Sequence, residues 1–131
     1  MTTKKYLSQV FTLRQLIKTR DTRIQDLETM KNTVDRANGS DTMCELVATL
    51  LDLIEECQAE RLRLFAVQKK ISTAIASVER SEFRLILYER YINLKTWENI
   101  AYDNNYSVQW VHKLHVCAIS AIERVMKKTG D

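Results

Sequence analysis

The stretch Thr96-Trp97-Glu98-Asn99-Ile100-Ala101-Tyr102-Asp103-Asn104-Asn105-Tyr106-Ser107-Val108-Gln109-Trp110-Val111-His112-Lys113-Leu114 decides the fold. Thr96 and Ser107 are residue types that cap helix N-termini. Ala101 lies where two helices would approach most closely, and a larger side chain there would force them apart. Asn105, four residues on, falls where a tight turn needs positive φ, which Asn tolerates next best after Gly. Val111, six further on, packs the second helix back on the first, and Ile100, Val108 and Leu114 complete the small core. This spacing predicts a helix-turn-helix, with one helix over Thr96–Asn104 and a second from Ser107 to about Lys128. Lys127 and Lys128 suit the negative end of that second helix.

Just upstream, Ser81 can cap a helix with Glu82 in its first turn and Phe83, Ile86, Leu87 and Tyr91 on its buried face. Asn93 is the expected stop, by left-handed geometry. Trp97 is expected to pack, and Trp110 to close the core against the preceding helix.

Further out, the first eighty residues read as two long helices. Val10, Ile17 and Ile24 share one heptad row of the first, about Thr3–Val34, and Tyr6, Leu13, Leu27 and Val34 the other. In the second, about Thr42–Val78, Met43, Leu50, Cys57, Leu64, Ile71 and Val78 recur every seven residues, with Leu46, Leu53, Val67 and Ala74 beside them. A seven-residue repeat keeps one seam facing a partner. The turn cluster Arg36–Asp41 separates the helices, and Thr42 with Glu45 forms a capping box. An antiparallel pairing about residue 40 sets Leu27 by Leu53 and Arg20 by Glu60. Those two charges either pair across the seam or turn out to solvent. Val47, Leu51 and Ile54 widen the apolar arc beyond a two-helix seam, and an oligomer interface is expected there. The alternative is that the C-terminal domain covers them.

The 131 residues include no proline and only two glycines, too few turn formers for a sheet protein. The expected class is all-α: a long antiparallel helical hairpin (coiled coil) over 1–80, then a helix-turn-helix domain over 81–131. Three cysteines without a CxxC pair, no signal peptide and no long apolar run point to a cytoplasmic chain with mostly buried thiols, no membrane and no zinc. Net charge is only +3; residues 1–40 carry eight Lys/Arg against four Asp/Glu, and residues 81–131 seven against six. Late cations at Lys113, Arg124, Lys127 and Lys128 fit moderate affinity for phosphate.

Glu89-Arg90-Tyr91, Thr96-Trp97-Glu98-Asn99-Ile100-Ala101 and Ser107-Val108-x-x-Val111-x-Lys113-Leu114 resemble region 4 of bacterial sigma factors. Lys5-Tyr6-Leu7-Ser8-Gln9 and Tyr106-Ser107-x-x-x-Val111-His112-Lys113-Leu114-His115 add a resemblance to small phage-encoded proteins of Gram-positive bacteria, similar to ArpU/RinA-type late transcriptional regulators. The resemblance covers essentially the whole chain and is specific in residues 88–118. It implies a DNA-binding regulator in a bacterial cytoplasm.

In this motif the early second helix enters the major groove. With Val111 inward, Gln109, His112, Lys113 and Val116 face the groove. Gln109 matches the paired donor and acceptor of adenine, and Lys113 reaches guanine or phosphate. Thr96 and Ser107, with their flanking N–H groups, are phosphate candidates. His112 and His115 are expected to be exposed and incidental. The expected partners are double-stranded DNA and a second copy of the chain, with RNA polymerase or a phage regulator as a further partner. Two competing roles use the same parts: a small-terminase-like packaging protein and a sigma-like adaptor on polymerase. Two histidines, no phosphate loop, no HExxH and no nucleophile–base motif argue against an enzyme, and no cofactor is expected.

Overall fold

The computed structural model describes residues 2–36 and 40–128. These are all-helical, with no strand among the described residues. The elements are α1 (Thr3–Leu7), α2 (Gln9–Arg36), α3 (Ser40–Ala76), α4 (Ser81–Leu87), a π-helical segment over Tyr88–Ile92, α5 (Trp97–Asp103) and α6 (Val108–Lys128). No helix among them is long and apolar enough to cross a membrane.

The chain divides into two compact units, Thr12–Phe65 and the combination of Met1–Phe11 with Ala66–Asp131. This differs from a boundary at residue 80. Ile71, Ile75 and Val78 are buried, the Tyr88 hydroxyl donates to the Ser72 carbonyl at 3.3 Å, and α1 lies against α6. The end of α3 and the first residues of the chain therefore belong with the C-terminal helices.

In the Thr12–Phe65 unit, α2 and α3 meet along Leu27, Leu46 and Leu50, with Ile24 and Leu53 against them. Arg20 and Asp21, earlier in α2, meet Glu56, Cys57 and Arg61, later in α3. Arg20 makes its short contact with Glu56, at 2.6 Å, and reaches Glu60 only at 3.7 Å. Glu60 keeps one buried carboxylate oxygen without a hydrogen-bond partner. Cys57 is buried and donates its thiol to Asp21 Oδ1 at 3.3 Å. Burial, and then the bond to that carboxylate, push its pKa up. Cys44 and Cys117 are exposed, so the expectation of mostly buried thiols fails for two of three. Val47 and Leu51 are exposed and Ile54 is half-buried.

Several expected helix ends move. The first helix breaks at Ser8, whose N–H and hydroxyl both donate to the Lys4 carbonyl, at 2.9 and 2.8 Å. Because α3 begins at Ser40, Thr42 lies inside it and cannot cap it. Residues 37–39 of the expected turn, and the side chain of Val34, lie outside the described residues. Ser81 is the first residue of α4 rather than its cap; Arg80 holds that position without a side-chain capping bond. Instead the Arg84 guanidinium donates to the carbonyls of Val78 and Glu79 at the end of the preceding turn.

Candidate nucleic-acid interface

The segment α5–turn–α6 is built around Ala101. Ile86, Ile100, Ala101, Val111 and Leu114 form one buried cluster, with Phe83, Trp97 and Tyr106 packed on it. Thr96 Oγ1 accepts the Asn99 N–H at 3.2 Å and caps α5. At the other end Asn105 takes φ 57°. The Tyr106 N–H donates to the Ala101 carbonyl at 2.9 Å, and the Asn105 N–H to the Tyr102 carbonyl at 3.4 Å. This six-to-one and five-to-two pair is a Schellman closure, and Tyr106 supplies the apolar contact that accompanies it. Ser107 Oγ then accepts the Trp110 N–H at 3.1 Å and starts α6.

The sequence places six residues of the α5–turn–α6 segment in its core. Ile100, Ala101, Val111 and Leu114 are buried, and Asn105 is an exposed turn residue with the left-handed φ. Val108 is not core: it is 37% exposed, because it opens α6 before the first turn has closed on α5. Trp110 is 48% exposed and does not close the core. Its neighbour Val111 takes the inward position, and the next residue back on a helix is turned by about 100°.

Gln109, His112, Lys113 and Val116 are all exposed on α6, and Thr96 and Ser107 are exposed at the two caps. The structure thus sets an amide, an imidazole, an ammonium and an apolar group on the outward side of one helix. The His112 ring lies 5.0 Å from the Trp97 ring. The Arg90 guanidinium also stacks on Trp97, at 4.2 Å, and donates to the Lys95 carbonyl at 2.9 Å.

His115 is buried, contrary to the expectation of an exposed ring. It faces inward with Val111, Ala118 and Ile122. Its Nε2 shares a 2.6 Å hydrogen bond with the Tyr91 hydroxyl, and its ring meets Trp97 edge-on at 4.6 Å. Burial, with smaller contributions from Lys4, Arg90 and His112, lowers its pKa to about 4. Burial also raises the Tyr91 pKa to about 12. Both groups are therefore neutral near pH 7, which a buried hydrogen bond between them favours. The spacing 111, 115, 118, 122 would have placed His115 inside.

The joint before α5 also departs from expectation. Asn93 stays right-handed, and Leu94 takes φ 57°. The cause is the π turn, in which the Asn93 N–H reaches back to the Tyr88 carbonyl at 2.9 Å. One added residue in the turn delays the reversal by one position. A leucine in this region costs about 1–2 kcal/mol, and local bonds offset it. Lys95 Nζ sits 2.6 Å from Glu89 and 2.9 Å from Asp103. Hydrogen bonds to Glu89 and then Asp103 raise its pKa, so it stays charged and internally paired.

Comparison with protein-family models, with curated proteins and with solved structures yields no match.

Proposed function

We propose that the chain is a DNA-binding transcriptional regulator of phage type, reading double-stranded DNA through a sigma-region-4-like helix-turn-helix made by α5 and α6. The observation that carries this reading is the closure between them. Ala101 buried in one cluster with Val111, Asn105 at φ 57° and Ser107 capping α6 support it. Gln109 and Lys113 are its base readers, and His112, Val116, Thr96 and Ser107 flank them toward methyl groups and phosphates. An antiparallel helical hairpin carries this module, and the chain acts as a homodimer. Leu27 of α2 meets Leu46 and Leu50 of α3, while Arg20, earlier in α2, meets Glu56, later in α3, which supports the antiparallel hairpin.

The test is selection of bound sequences from a random DNA pool with purified protein, followed by anisotropy titration at fixed salt. A shared motif among the selected sequences is expected. No enrichment, with the protein folded, would remove the reading. The exposure of Tyr102 at 84% and Trp110 at 48% favours a second role, as an adaptor on RNA polymerase or another regulator. That role is expected to show weak DNA binding alone and tighter binding once polymerase is added.

A further inference from the structure

A groove of about 820 Å³ lies between the turn from α3 into α4 and the second half of α6. Val78, Phe83 and Val125 contribute its apolar lining, and Arg80, Arg124 and Lys128 its cations. Glu79 is the one acidic residue among those that line it. The Arg80 guanidinium stands 4.7 Å above the Phe83 ring and pairs with Glu82. Arg124 and Lys128 make no ion pair among the described residues. A surface of this kind fits a helix that is apolar on one face and acidic beside it.

The chain contains such a helix. Residues 40–60 carry six Asp/Glu and no Lys or Arg. Arg20 engages Glu56 and Glu60, whereas Asp52 and Glu55 are exposed and have no ion pair among the described residues. Val47, Leu51 and Ile54 follow one another at four and three residues, so they share one face of α3 over about 10 Å. Leu51 is 62% exposed there.

We propose that the groove of one copy receives the Val47–Leu51–Ile54 face of α3 from a second copy, with Asp52 and Glu55 set against Arg124 and Lys128. Each copy carries both surfaces, so in a two-fold dimer each would give its stripe and receive its partner's. The interface rests on the homodimer of the proposed function; Val116, placed toward DNA, also lines the groove but carries none of the proposed contacts, and the dimer is testable without DNA.

The experiment is sedimentation equilibrium of the full chain across a wide concentration range, with circular dichroism to establish that each variant keeps its helix content. The wild type is expected at twice the chain mass. Leu51→Lys and the pair Arg124→Glu/Lys128→Glu are each expected to weaken the dimer by on the order of tenfold or more. Adding Asp52→Lys/Glu55→Lys to that pair is expected to restore it. A wild-type monomer at every concentration would overturn the proposal. So would a dimer that Leu51→Lys dissociates and the groove variants leave unchanged, since the stripe would then face another surface.

Discussion

The Tyr91 hydroxyl and the His115 Nε2 lie 2.6 Å apart inside the C-terminal helices, tying the π-helical segment to α6. This bond joins the helix proposed to read DNA to the element that precedes α5. Acid should therefore act on the fold through His115.

Unfolded, His115 binds a proton near its ordinary pKa of 6.5; folded, it does so only near 4. Between those values the unfolded chain holds more protons, so stability is complete above about pH 6.5 and falls as pH drops toward 4. The loss should be about 2 kcal/mol. Urea denaturation at pH 7 and pH 4.5 measures it, and His115→Phe should flatten the difference. Tyr91→Phe should cost about 1–3 kcal/mol at pH 7, because it leaves a buried imidazole nitrogen unsatisfied. A wild type equally stable at both pH values would contradict the assignment.

Asn105 and Leu94 share φ 57° but differ in what glycine should do for them. Asn105→Gly should be neutral, and Asn105→Val should cost about 1–2 kcal/mol. Leu94→Gly should gain about 1 kcal/mol from relieved geometry, less the packing that its half-buried side chain supplies. Thermal melts of the three variants check both positions.

On the outward face of α6, Lys113→Ala should reduce the salt dependence of DNA binding by about one unit of slope if the ammonium sits on phosphate. Gln109→Ala should relax preference at one base pair by about 1–3 kcal/mol while leaving the slope unchanged. Anisotropy titrations from low to moderate salt, on a selected site and its single-base variants, separate the two roles.

Arg20 has one short partner in Glu56, and Glu60 holds a buried oxygen with none. Removing the two charges should therefore have unequal effects. Glu60→Leu should be neutral or stabilising by about 1 kcal/mol, because it extends the apolar seam and leaves Arg20 on Glu56. Arg20→Leu should destabilise, because Glu60 then remains without a cation. Equal losses from both would show that the longer contact matters as much as the shorter.

Much of the α5–α6 segment was legible in the sequence, because its rules are local. Ala101, Asn105 and Ser107 each answer a demand set within a few residues: close approach, positive φ and a cap. The inward row Val111, Leu114, Ala118 and Ile122 follows the helical period, and that period already places His115 within it; taking His112 and His115 together as an exposed pair overlooks it. The place of Leu94 was not legible, since nothing in Tyr88-Glu89-Arg90-Tyr91-Ile92 announces a π turn. The heptad rows of α2 and α3 gave the seam at Leu27 and Leu50, yet they continue unchanged through residues 66–78, which pack with the C-terminal helices. A repeat reports which face is buried and not what buries it.

The π-helical segment makes residue count a structural variable. Its carbonyls are reached by N–H groups five residues on, so it holds one residue more than the same span of regular helix. Deleting a single residue between Tyr88 and Ile92 would let that span close as an ordinary helix and leave the side chains after it in place. The same deletion inside α6, where the helix is regular, would turn every later side chain by about 100°. The joint before α5 therefore absorbs a change of one residue that the regular helix would turn into a change of phase.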